Sequence, residues 1–188
     1  MFNFRIENHG IISKQFLDRK ILDFNSACTF IANLPYLRNK NKESLSCIFD
    51  DHGGTCSTKH ATLQRLCVEN NKDNVQLILG IFRMDAEYAF NIKNTLNIHQ
   101  LDYIPEAHNY LKINDTYLDC TTPTSHYNDF KDKLETEFVI QYTQITDEKV
   151  KLHKEFLQSW LSKNKHPFTL EEIWKIREQC ILDLQSLN

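Results

Sequence analysis

The sequence predicts an α+β fold in which a Cys-bearing helix packs on an antiparallel sheet, with further helices toward the N- and C-terminal ends. Three observations carry that expectation. Apolar residues recur at helical spacing near both ends, the middle holds strand-like segments with one tight hairpin, and turn residues separate the blocks. The 188 residues, 41% of them hydrophobic and 25% charged, suffice for a single domain over 1–188 with a real core. There are only 4 Gly and 4 Pro, and no internal period or low-complexity tract, which excludes a repeat array or a linker-rich chain.

Taken in chain order, Ser13 to Leu34 carries Phe16, Ile21, Phe24, Ala27, Cys28 and Ile31 at mostly helical spacing, and Pro35 ends the pattern. Leu37 to Glu43 is polar and basic, a loop. Ser44 to Phe49 is a short apolar segment leading into Asp50-Asp51-His52-Gly53-Gly54. The next helix starts at Thr55 or Cys56, with Thr55 as N-cap and Leu63, Leu66 and Cys67 as its apolar face, and runs to about Asn70. Val75 to Met84 reads as a well-buried strand. Asp85 to Pro105 predicts a loop with one or two helical turns, placed just before His108 to wall or cover a cleft. His108 to Ile113 and Thr116 to Cys120 form two strands joined at Asn114-Asp115, and Phe138 to Ile145 forms another. A C-terminal helical extension over about 146–187 follows, as Asp147 to about Ser162 and Thr169 to Leu187, separated at His166-Pro167.

A formal net charge of -3 gives no electrostatic reason to expect a nucleic-acid or membrane partner. No stretch approaches the roughly 18 apolar residues of a membrane span. The start lacks the basic region and long apolar run of a secretory signal, and the six cysteines are scattered rather than framework-spaced. Reduced thiols and a cytoplasmic location are the expectation.

The chemistry centres on one cysteine and one hairpin. A thiolate is stabilised at a helix N-terminus and beside an imidazolium, and Cys56 stands at the first turn of its helix behind two glycines. Its own N–H has no partner within the helix and is available to a developing oxyanion. A two-residue turn at Asn114-Asp115 pairs Ile113 with Thr116, then Tyr110 with Asp119 and His108 with Thr121. His108 and Asp119 become diagonal neighbours on one face, about 7–8 Å apart at the backbone. Leu111, Ile113, Leu118 and Cys120 take the core side.

These segments resemble the transglutaminase-like superfamily. Gly53-Gly54-Thr55-Cys56-Ser57-Thr58-Lys59-His60-Ala61 is similar to its Gly-rich turn and Cys helix. Ala107-His108-Asn109-Tyr110 resembles its His strand, and Tyr117-Leu118-Asp119-Cys120-Thr121-Thr122-Pro123 its Asp strand. The resemblance covers about 44–123 and implies a papain-like core with Cys56, His108 and Asp119 as catalytic triad. It implies no cofactor and no metal. The implied activity is cysteine-dependent acyl transfer, first of all hydrolysis of a peptide, protein or small amide substrate. Amine transfer or cross-linking, arylamine-N-acetyltransferase-like acetyl transfer, and an inactive binding module are the alternatives. His52, Gly54, Thr55, His60 and Tyr110 are the substrate-binding candidates. The family often places a Trp or another oxyanion donor before the Cys helix; here both Trp lie downstream, leaving Ser46, Tyr36 and Asn33 as substitutes. Cys47, His52, Cys56 and His60 also spell a zinc-compatible spacing, though not that of a common finger.

Overall fold

The structure, a computed structural model, describes residues 2–185. Its elements are α1 (Ile11–Asp18), α2 (Phe24–Asn33), α3 (Cys47–Asp50), α4 (Cys56–Glu69), β1 (Val75–Asp85), α5 (Lys93–Ile98), β2 (Tyr103–Ile113), β3 (Thr116–Leu118), β4 (Leu134–Ile140), α6 (Asp147–Asn164) and α7 (Leu170–Gln185). The four strands form one antiparallel sheet in the order β3-β2-β1-β4. The class is α+β, as the sequence predicts.

The long run of apolar residues in β1 follows from burial on both faces. Leu77, Leu79 and Ile81 join Ala107, Leu111 and Ile113 of β2 in a core shared with α1, α2 and α4. Ile78, Phe82 and Met84 join Ile104 and Tyr110 in a second core shared with α5, α6 and α7. Side chains alternate along each strand, so every second residue feeds a different core.

The helix expected over 13–34 is two helices. Asp23 caps α2, accepting the Ser26 N–H at 3.0 Å and the Ser26 hydroxyl at 2.8 Å, and Lys20 turns the chain with φ 62°. The N-terminal segment clamps the break: Ile6 N–H donates to the Leu22 carbonyl and Phe24 N–H to the Phe4 carbonyl. The apolar spacing runs on through the break because both helices face the same core. Its physical mark was the Asp23-x-x-Ser26 capping pattern.

Three strand boundaries also move. β2 begins at Tyr103, five residues before the expected start, and accommodates Pro105. The Pro105 carbonyl accepts from His153 Nε2 at 2.8 Å, so this residue turns its polar groups away from β1, where the missing N–H costs no ladder bond. β3 stops at Leu118, and β4 is Leu134–Ile140 rather than 138–145. The expected final helix runs as α7 to Gln185; the last two residues of that expectation, 186–187, lie outside the described residues.

The 85–105 segment contributes no residue to the cleft described below. Ile92, Leu96 and Leu101 are instead buried in the second core, and Thr95 donates to Asp183 of α7 at 2.5 Å. Their need for burial takes the segment to the α7 side of the sheet, so the expectation of a lid or cleft wall is not met. Among the described residues, no helix is long and apolar enough to cross a membrane.

Candidate active site

Cys56 opens α4, and the chain reaches it through a close crossing of main chains. Tyr36 and Gly54 form a parallel bridge, with Gly54 N–H donating to the Pro35 carbonyl at 3.1 Å. Neither Gly53 nor Gly54 has positive φ. Their lack of a Cβ serves packing: on Gly53 a Cβ would stand 2.6 Å from Leu37 Cδ2 and 2.8 Å from the Pro35 carbonyl oxygen, and on Gly54 2.5 Å from Thr58 Oγ1. The glycines therefore bring the backbone close to 35–37, not to a substrate. Gly53→Ala should lower stability by about 1–3 kcal/mol, since a backbone atom must move, and urea denaturation will measure it.

The hairpin turn is as expected, with Ile113 opposite Thr116 and Asn114 in the left-handed region at φ 52°. The ladder then ends at Leu111 and Leu118, so Tyr110–Asp119 and His108–Thr121 are not strand pairs. The backbone of 119–121 bonds elsewhere. Asp119 Oδ1 accepts the Thr121 N–H at 2.8 Å and hydroxyl at 2.6 Å, curling the chain off the sheet. Cys120 N–H donates to His60 Nε2 at 2.7 Å, and the Thr121 carbonyl accepts from Lys59 Nζ at 2.6 Å. The curl leaves Asp119 Oδ2 2.8 Å from His108 Nε2.

That contact occupies one imidazole nitrogen. The charge and side chain of His108 and the Asn109 backbone N–H all favour the thiolate form of Cys56. Asp119 is thus hydrogen-bonded to His108, and Cys56 lies within electrostatic reach of that ring. All three are largely removed from water, and the rings of Phe130, Phe82 and Tyr110 surround His108. Burial alone would raise the Cys56 pKa; the charges of Lys149 and His108 overcome it and bring the thiol down to about 5. Burial alone would lower the His108 pKa, and the Asp119 and Cys56 charges bring it up to about 10. Burial opposes ionisation of Asp119, yet the His108 charge and hydrogen bond hold it well below the usual carboxylate range. The site is a thiolate–imidazolium pair oriented by a carboxylate.

The other expected residues divide. Thr55 lines the cleft beside Cys56 and donates its N–H to Thr58 Oγ1 at 3.0 Å. Gly54 is buried in the main-chain crossing. His52 is exposed and turns the chain with φ 54°, away from the cleft lining. His60 is fully buried, with Nδ1 2.8 Å from the Cys56 carbonyl and Nε2 accepting from Cys120. Only the neutral ring protonated on Nδ1 satisfies both bonds, so His60 braces the Asp119 turn against α4 and contacts no solvent. Tyr110 is also fully buried; its hydroxyl donates to Glu137 Oε1 at 2.6 Å on the second-core side, where Gly80 makes room for it. His60 and Tyr110 alternate with or follow site residues in sequence, but their side chains leave toward packed neighbours. The zinc spacing likewise does not converge, since His52 is exposed and both His60 nitrogens are occupied. Among the described residues no group of three His, Cys, Asp or Glu side chains is placed to hold a metal ion.

A cleft of about 310 Å³ opens at the thiol, lined by Cys56, Ser57, Thr55 and Tyr36 on one side and by α6 and α7 on the other. Of the expected oxyanion substitutes only Tyr36 reaches it; Ser46 bonds Asp50 at 2.7 Å and Asn33 bonds the Thr29 carbonyl at 2.8 Å. The cation acting most strongly on the thiol is Lys149 of α6. Its Nζ donates to Ser57 Oγ at 2.7 Å and to Asn109 Oδ1 at 2.8 Å, neutral acceptors on the residues that follow Cys56 and His108. Glu106, next but one before His108, takes Arg177 of α7 in a two-pronged pair at 2.6 and 2.5 Å. Nothing in the sequence marks Lys149, Glu106 or Arg177: Lys149 reads like its solvated helix neighbours Lys151 and Lys154, and the segments that meet here are 71 residues apart.

Comparison of the chain with known protein families, with curated proteins and with solved structures finds no match.

Proposed function

We propose that this chain is a cysteine-dependent acyl-transfer enzyme of transglutaminase-like, papain-like type, which hydrolyses a peptide or amide bond through an acyl-thioester on Cys56. The observation that carries the reading is the His108–Asp119 hydrogen bond beside a charge-stabilised Cys56 thiol that lines a cleft. The thiolate attacks the carbonyl carbon, and the oxygen takes up the negative charge. The Cys56 N–H, at the first helical position, and the Lys149 ammonium stand beside that oxygen as donors. As the C–N bond breaks, His108 gives its proton to the leaving amine. Water then adds to the thioester, returning a proton to His108 and expelling the Cys56 thiolate. Asp119 keeps the imidazole in one tautomer and balances its charge throughout.

The resemblance leaves the acceptor open, and water requires no site of its own, which is why hydrolysis ranks ahead of amine transfer. Incubation with an activated aryl ester should leave a hydroxylamine-labile acyl group on Cys56, read by peptide mass, and Cys56→Ala should carry none. Equal acylation of Cys56→Ala, or of Cys120 in place of Cys56, would sink the assignment and favour a non-catalytic binding module.

A further inference from the structure

The acyl-transfer reading leaves the substrate unspecified, and the charges of the cleft supply one constraint on it. Four cations line the cleft, Arg38, Lys42, Lys149 and Arg177, against the carboxylates Glu106, Asp147 and Glu178. Arg177 takes Glu106 and also contacts Glu178, while Arg38 reaches Glu178 at 2.8 Å. Both guanidiniums are therefore committed. Asp147 is exposed in the first turn of α6. His153, in the same wall, is kept from charging by burial, which lowers its pKa.

Two ammonium groups remain. Among the described residues neither Lys42 nor Lys149 has an ion pair with a carboxylate; Lys149 donates only to neutral oxygens. Burial lowers the Lys149 pKa; the charges of Cys56 and Glu106 oppose that shift, and those of Arg177 and Lys42 add to it. Asp119 answers the charge of His108, so the Cys56 thiolate answers Lys149 and Lys42 is left without an anion. The rest of the wall mixes apolar side chains, Ile145, Val150, Trp174 and Ile181, with the polar Tyr36, Thr55, Ser57 and Thr146. An anion at Lys42 is the missing component. With both guanidiniums occupied, a single ammonium at Lys42 suits a monoanion better than a phosphate dianion, which needs several donors.

We propose that the cleft takes an acyl donor bearing its own carboxylate, which binds Lys42 while the reacting carbonyl lies between Cys56 and Lys149. Lys42 is then a specificity residue that takes no part in bond making.

Iodoacetate and iodoacetamide test this on the full chain, since both transfer a two-carbon group to sulfur and differ by the carboxylate. At pH 7 and low ionic strength, Lys42→Met should leave the iodoacetamide rate at Cys56 unchanged and slow iodoacetate by about five-fold. Lys42→Arg should keep the iodoacetate rate. The unaltered protein should likewise hydrolyse an aryl hemisuccinate faster than an aryl butyrate, and lose that preference in Lys42→Met. The iodoacetamide rate doubles as the folding control, because the variant changes only a loop side chain. An iodoacetate rate or an ester preference that survives in Lys42→Met overturns the proposal alone. A Cys56 that neither reagent modifies overturns the acyl-transfer reading and this proposal with it.

Discussion

Asp119→Asn should move the pH midpoint for alkylation of Cys56 from about 5 up toward the ordinary thiol value of 9.0, and slow acyl transfer by about 10³–10⁴-fold. The thiol is depressed against its own burial by two positive charges, Lys149 and His108. Asp119 is what keeps His108 charged, since its carboxylate overcomes the burial that would neutralise the ring. With an amide there, the ring loses its proton near neutrality and the thiol recovers its own. In the native protein the thiolate–imidazolium pair spans the interval between the two pKa values, about 5 and about 10, so activity should be bell-shaped between those limits. The alkylation midpoint is the better diagnostic than the rate. A low-pKa thiolate is a weaker nucleophile, by a Brønsted slope of about 0.4–0.5, and that loss offsets most of the gain in thiolate fraction. A midpoint unmoved in Asp119→Asn would show that the carboxylate does not hold the imidazole.

Glu106→Ala should destabilise the fold by about 3–5 kcal/mol, because it leaves the Arg177 guanidinium largely buried without its two-pronged partner. Urea denaturation reads this directly. Arg177→Met with Glu106→Gln should recover much of the loss, since the penalty comes from a largely buried charge left with only Glu178 as its carboxylate. The pair also sets an acid limit. Burial would raise the Glu106 pKa, but Arg177 brings it down from the ordinary 4.5 to about 2. The folded state therefore binds this proton less readily than the unfolded chain. The stabilisation is complete above about 4.5 and is lost as pH falls from there to about 2. Asp119 is shifted in the same direction, so the site and the α7 contact weaken together in acid. A urea midpoint flat across this interval would show that the Glu106–Arg177 pair contributes no linked stability.

What is local in sequence was legible there. The α4 start and the Asn114-Asp115 turn depend on a helix-start pattern and a two-residue turn, both of which are written within a few residues. The register nevertheless failed beyond Leu118. Whether a strand continues depends on competing partners, and here the 119–121 backbone bonds His60 and Lys59 of α4 instead of β2. The same competition removes His60 and Tyr110 from the substrate candidates. Spacing along α4 and β2 could place each near the site, but not say which packed neighbour its polar atom would reach.

By itself, then, the sequence determined the α+β class, the helix that presents Cys56 and the Asn114-Asp115 turn that starts the hairpin, because short-range geometry dictates each. Only the tertiary structure decided the rest of the site. The C-terminal helices, read from sequence as an extension of the core, carry Lys149 and Arg177 into the cleft and supply its apolar wall. A lysine on an amphipathic helix has the same local signature whether water or a thiolate faces it. What makes Lys149 part of the site is the docking of α6 against β2, a contact set by burial of Leu157, Trp160 and Leu161 and not by any pattern around residue 149.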